Sequence, residues 1–164
     1  MNNLAMLYAH EGKYAMAEPV YVKVVDLERH VLGAEHPRRL ASMNDLGGLY
    51  LKQRKYAAAE RLLREALNSH DKGKTQTWVR YNCQSLLGAS LTGEKKYAEA
   101  EPLLLSGYEG MLQRKATIPW ERRSVLNNGS EWIIQLYENW RKPDKAAEWR
   151  ENAGNEHPVA HAAQ

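Results

Sequence analysis

Apolar residues recur along this chain at helical spacing. In the stretch 56–67, Tyr56, Ala59, Leu63, Ala66 and Leu67 fall at i, i+3, i+7, i+10 and i+11, which is one face of an α-helix. Tyr97, Ala100, Leu104, Gly107 and Tyr108 repeat that pattern. Short polar clusters interrupt it: HEGK at 10–13, QRK at 53–55 and GEKK at 93–96. They predict tight helix–helix connections, and therefore antiparallel helix pairs. Longer breaks separate the pairs: VLGAEHPRR at 31–39, DKGKT at 71–75 and ATIPWERR at 116–123. Gly33 is placed to stop a helix, and Pro37 and Pro119 to sit near helix starts. No segment alternates with period two over a useful length, so no sheet is expected.

The pattern is a repeat. The hexapeptides KYAMAE at 13–18, KYAAAE at 55–60 and KYAEAE at 96–101 align on Tyr14, Tyr56 and Tyr97, which are 42 and 41 residues apart. Upstream, Leu4-Ala5…Leu7-Tyr8 matches Leu46-Gly47…Leu49-Tyr50 and Leu87-Gly88…Leu91. A degenerate fourth copy, KPDKAAE at 142–148, follows at a spacing of 46, with Pro143 in the tyrosine slot. Catalytic motifs rarely recur in this way, whereas structural units do. Ala5, Gly47 and Gly88 on the first helices, and Ala17, Ala59 and Ala100 on the second, are small where two helix axes would approach closely. A mid-helix glycine costs about 1 kcal/mol relative to alanine, so Gly47 and Gly88 in one register point to a packing need. The expected organisation is a single all-α solenoid over 1–153, in units of about 1–36, 37–74, 75–116 and 117–153. The first unit opens partway into its first helix and is expected to be truncated. The last is expected to be a cap, and 154–164 a disordered tail.

At this point the residues resemble tetratricopeptide repeats: Leu46-Gly47…Tyr50…Tyr56…Ala59…Ala66 follows the family pattern closely. The 42-residue period and the phrases NNLAMLYAHEGKY and LGAEHP are similar to the kinesin-light-chain type. The resemblance implies an α-α superhelix, a right-handed solenoid of antiparallel helix pairs whose concave face binds peptides or partner proteins. The stretches KKYAEAEPLLLSGYEGM and LYENWRKPDKAAEWR also resemble the C-terminal end of large bacterial signalling proteins. There such repeats follow a serine/threonine kinase domain. This implies an alternative role as a regulatory or oligomerisation module.

Composition narrows the function further. The 164 residues are 43% hydrophobic and 26% charged, with a net charge of +3 and no run of five Lys/Arg, so nucleic acid is not an expected partner. No stretch approaches the eighteen apolar residues of a membrane span, and the N-terminus lacks the build of a signal peptide. The single cysteine, Cys83, fits a reducing, cytoplasmic setting and reads as packing in a Tyr/Leu-rich helix. The six histidines are scattered; His157 and His161 are four apart but lie in a proline-containing tail. No catalytic, cofactor or metal site is expected. Glu18, Glu60 and Glu101 recur one per unit and are expected at the surface or bonding neighbouring helices. Five tryptophans, Trp78, Trp120, Trp132, Trp140 and Trp149, fall in the second half, as an aromatic anchor or as filling for the stretched joint between units three and four.

Register assigns the inward positions of the first helices. They are Asn2, Met6 and His10; Asn44, Gly48 and Lys52; Asn82, Ser85 and Ala89; and Asn128, Glu131 and Gln135. Asparagine recurs in every unit. Its amide both donates to and accepts from a peptide main chain, and in light-chain-type repeats such asparagines resemble peptide-clamping ones. A solvated helix face would use asparagine too. Inward Lys/Arg is sparse, which departs from the carboxylate-clamp type. The expected partner is a protein or peptide, with a homodimer through the open N-terminal edge as a further possibility.

Overall fold

The computed structural model describes residues 2–74 and 76–153, with only the backbone of residues 2, 3 and 153. The expected tail lies outside the described residues. The chain forms α1 (Asn2–His10), α2 (Tyr14–Leu32), α3 (Pro37–Lys52), α4 (Tyr56–Lys72), α5 (Trp78–Gly93), α6 (Tyr97–Gln113), α7 (Ser124–Asn139) and α8 (Pro143–Ala153), with no strand among the described residues. Two 3₁₀ turns, Lys115–Thr117 and Trp120–Arg122, occupy the third long connection. The helices pack as α1/α2, α3/α4, α5/α6 and α7/α8, each pair stacked on the next.

Local chemistry sets the boundaries. α2 ends at Gly33, whose φ of 93° lies in the left-handed region. Pro37 is the first residue of α3, and the His36 ring accepts the Arg38 amide at 3.2 Å. Arg39, buried, donates to the Ala34 carbonyl at 2.9 Å and to Glu65 at 2.8 Å, tying this connection to α4. A small cluster of Met111, Ile118 and Leu126, packed with Trp78 and Tyr81, anchors the third connection.

Within each pair the turn uses a left-handed residue in one register: Gly12 (φ 73°), Arg54 (57°), Lys95 (64°) and Arg141 (58°). Of these four, only glycine adopts the conformation without a Cβ clash. An L side chain there costs roughly 1–2 kcal/mol, partly offset because glycine has more chain entropy to lose. Lys95→Gly is therefore expected to stabilise the fold by about 0.5 kcal/mol, and Gly12→Ala to destabilise it by about 1 kcal/mol. Urea titration of the two variants checks the opposed signs; a shift of both in the same direction contradicts the assignment.

The repeated hexapeptide is a joint between units. Ala17, Ala59 and Ala100 are fully buried. A Cβ at Gly88 would lie 3.1 Å from the Ala100 carbonyl oxygen and 2.6 Å from Leu104 Cγ, and one at Gly47 2.7 Å from Leu63 Cδ2. The small residues are thus a packing requirement. The tyrosine serves the next unit: Tyr56 lies against Gly93, and Tyr97 stacks on Trp140 with ring centroids 5.9 Å apart. Lysine and glutamate complete the joint. Lys55 bonds Glu18 of the preceding unit at 2.6 Å, and Lys96 bonds Glu60 at 2.9 Å. In the degenerate copy, Lys145 bonds Glu101 at 3.1 Å, while Lys142 sits over the Trp140 ring. At each of the three joints between described units, a lysine of the later unit therefore meets a glutamate of the earlier one. Exposed pairs of this kind contribute about 0.2–1 kcal/mol each, so they set register more than stability.

The tryptophans divide. Trp140 and Trp149 pack on Tyr97 and Tyr108, Trp132 lies against the main core, and Trp78 against the smaller cluster. Trp120 stands apart, 77% exposed.

Candidate binding groove

The first helices of all four units border one cavity of about 410 Å³. α1 contributes Met6, Ala9 and His10, and α3 contributes Asn44, Asp45, Gly48 and Lys52. α5 supplies Asn82 and Leu86, and α7 supplies Ser124, Asn128 and Trp132. Seven of the twelve positions assigned by register therefore share one space: Met6, His10, Asn44, Gly48, Lys52, Asn82 and Asn128. Glu131 and Gln135 are exposed and are not among its lining residues. The Asn2 side chain lies outside the described residues.

Ser85 is a correction. It is fully buried and faces α6, where its hydroxyl and backbone lie against Gly107. The next groove residue after Asn82 is Leu86, at i+4 rather than i+3. One step of register, about 100° of helix rotation, separates the groove from the intra-pair seam.

The asparagines are not equivalent. Asn44 is almost fully buried and its Nδ2 donates to the Val79 carbonyl at 2.8 Å, joining α3 to the first turn of α5. Its Oδ1 is buried without a hydrogen-bond partner. Asn82 is half-buried and Asn128 exposed, and neither amide is bonded to a described residue. Two of the inward asparagines thus keep both donor and acceptor capacity.

One feature of the groove has no counterpart in the repeat. Arg122, from the 3₁₀ turn before α7, crosses to α3 and holds Asp45 through two bonds, Nη1–Oδ1 at 2.5 Å and Nη2–Oδ2 at 3.1 Å. Its Nη2 also lies 3.7 Å from Met6 Sδ on α1. This fork-shaped, charge-assisted contact is stronger than a neutral hydrogen bond, and it joins the first, second and fourth units across the groove. Tyr21 closes the base, and burial first, then Asp45, push its hydroxyl above the usual phenol range. Asp45 follows Asn44 directly in the sequence, but the register of the inward positions does not single it out. Arg122 is not singled out either, because it comes from a connection without periodicity.

Other candidate chemistry is structural. Cys83 is fully buried, and its thiol, 3.5 Å from the Leu63 carbonyl, is pushed up to about 12 by burial. Such a group is inert as a nucleophile. Among the described residues no three His, Cys, Asp or Glu side chains stand close enough to hold a metal, and no helix is long and apolar enough to cross a membrane. His157 and His161 lie outside the described residues.

Comparison with known proteins gives a consistent result. Residues 1–72 match the tetratricopeptide repeat family profile. Among solved structures, a Podosopora anserina protein assigned as a kinesin light chain, with nearly identical TPR-like repeats, aligns over 93% of this chain and 71% of its own, at 24% identity and a TM-score of 0.72. A substituted form of that protein aligns with the same score and identity over 70% of its length. BtubC (BKLC) from P. vanneervenii aligns over 99% of this chain and 66% of its own, at 17% identity and a TM-score of 0.69. No curated protein matches the chain. At these identities the structural likenesses establish the fold. Residues 1–72 thus match tetratricopeptide repeats by sequence, and the stacked helix pairs continue the same architecture to residue 153, in a fold similar to TPR-like solenoids.

Proposed function

We propose that this protein is a non-catalytic, cytoplasmic scaffold that holds an extended segment of a partner protein in the groove of its first helices. Tetratricopeptide repeats are in general protein–protein interaction scaffolds. The observation that carries the reading is the continuous cavity bordered by α1, α3, α5 and α7, in which the Asn82 and Asn128 amides stay open. Those amides bond a peptide main chain, and Lys52 adds a cation beside them. Asp45, an acid within the groove, is held by Arg122 and is not available as a general base.

Selection from a displayed peptide library on the wild-type chain supplies the ligand for a test. Asn82→Ala, Asn128→Ala and Lys52→Ala are each expected to weaken the selected peptides by about 3–10-fold, at the scale of one lost hydrogen bond, with unfolding temperature unchanged. Asn44→Ala is not a suitable probe, because it also removes the tie to Val79. Equal binding by wild type and the triple variant overturns the groove assignment.

A further inference from the structure

We infer that Asp45 is the anion of an arginine subsite in the groove, that Arg122 fills this subsite from within the chain, and that a partner segment enters by placing its own arginine there. The segment is the one held in the groove, as proposed above, so this reading rests on that one.

The subsite takes a guanidinium because it already holds one. The Arg122–Asp45 contact pairs two terminal nitrogens with two carboxylate oxygens, a planar fork that arginine makes and lysine does not. The Asp45 side chain is only 14% exposed, and among the described residues Arg122 is its one ion-pair partner. Asn44, which lines the same cavity, keeps a buried Oδ1 without a hydrogen-bond partner. The surplus at this point of the groove is therefore of acceptors.

Of the two partners, Arg122 is the one free to leave. Asp45 is fixed midway along α3, which is packed against α2, α4 and α5. Arg122 ends a three-residue 3₁₀ turn that contains no buried residue. Trp120, Glu121 and Arg123 around it are exposed. The backbone bonds here stay within the turn: the Arg122 amide donates to the Pro119 carbonyl at 2.9 Å, and the Arg123 amide to the Trp120 carbonyl at 3.3 Å. Ile118 before the turn and Leu126 after it are buried in the smaller cluster. Between these anchors, the fork to Asp45 ties the turn across the groove.

Opening the fork decides the chemistry of the occupant. A carboxylate left without a cation in a largely enclosed site is strongly unfavourable. Lys52, also in the groove, is seven residues further along α3, about 10 Å away, and does not replace the lost guanidinium. An acidic segment that captured Arg122 would leave Asp45 uncompensated. A segment that carries arginine restores the fork, while its main chain meets the Asn82 and Asn128 amides. Arg122 is then an internal competitor, and its removal strengthens binding.

Arg122→Ala empties the subsite, and ethylguanidinium is the first probe. At about 10 mM it is expected to raise the unfolding temperature of this variant by about 3 °C, as for a dissociation constant a few-fold lower. The wild type and the Asp45→Asn/Arg122→Ala chain are expected to move by less than about 1 °C. The second measurement is peptide selection by display, on Arg122→Ala and on the wild type, which needs no variant to fold. Both are expected to enrich arginine at one fixed position. Citrulline there is expected to weaken binding to Arg122→Ala by about tenfold, and to the Asp45→Asn/Arg122→Ala chain by less than about twofold. The arginine peptide is expected to bind the wild type about fivefold more weakly than Arg122→Ala, and on binding to release the Arg122 guanidinium protons to solvent exchange. The subsite is overturned by an equal effect of ethylguanidinium on the Asp45→Asn/Arg122→Ala chain, by no effect on Arg122→Ala, or by selected peptides without a fixed arginine. Stabilisation of Arg122→Ala by ethylguanidinium, with no selected peptide weakened by Asn82→Ala, supports the guanidinium subsite and overturns the groove reading instead.

Discussion

Gly107→Ala is expected to destabilise the protein by about 2 kcal/mol, although alanine is the better helix former. An added methyl would lie 2.7 Å from the Tyr81 carbonyl oxygen and 2.8 Å from the Ser85 amide nitrogen, as well as against the Ser85 hydroxyl. Two of these are backbone atoms of α5 and have no rotamer to adopt. α5 and α6 must separate, and they are closely packed, since Gly110 likewise sits against the Tyr81 ring. Overpacking of this kind costs typically 1–3 kcal/mol and at times more, against which the helix preference of alanine returns about 1 kcal/mol. Gly48→Ala is the control. It is also mid-helix, but the nearest atom to its added methyl is Leu86 Cδ2 at 3.7 Å, an ordinary contact. That variant is expected to gain about 0.5–1 kcal/mol. Urea midpoints moving in opposite directions support the reading; a Gly107→Ala midpoint at or above wild type refutes it.

These two glycines show how much of the molecule was legible. Helix existence, pairing and turn positions followed from apolar spacing and polar clusters, because each is a local property repeated three times. The packing role of Gly47 and Gly88 followed from their shared register. What the repeat could not reveal is which neighbour each residue serves. Within a single copy, the KYAxAE tyrosine reads as filling the joint of its own pair, yet Tyr56 and Tyr97 dock on the turn of the next unit. The lysine and glutamate meet across units, which is invisible in any single copy. The groove was legible to within one helical step: Asn82 lines it, while Ser85, three residues on, lies in the seam with α6. Arg122 depends on the path of a connection that has no counterpart elsewhere in the chain, so periodicity carried no information about it.

Acidification is expected to unfold the protein in two stages, the first governed by His70. This residue, near the end of α4, is buried beside Pro37, Leu40 and Trp78. Burial first, then the nearby Arg80 guanidinium, lower its pKa from the usual 6.5 to about 4, against a smaller opposing effect of Asp71. The folded state therefore keeps the ring neutral where the unfolded chain takes up a proton. With the folded pKa depressed, stability is complete above about pH 6.5, falls as pH drops towards 4, and changes no further below that from this group. Each tenfold difference in proton affinity between the folded and unfolded chain is worth about 1.4 kcal/mol, so the loss is on the order of 3 kcal/mol. For a chain of this size that is about 10 °C in unfolding temperature. The second stage belongs to the ladder. Lys96 first, with Glu94 and Arg64, holds the Glu60 carboxyl down at about 2, and Lys55 lowers that of Glu18. Carboxyls depressed in the folded state stabilise above their unfolded pKa and lose that contribution as pH falls from about 4.5 towards 2. His70→Leu separates the stages: the slope between pH 6.5 and 4 should flatten while the lower limb persists. An unchanged slope in that variant, measured by thermal unfolding across the range, would place the acid sensitivity elsewhere.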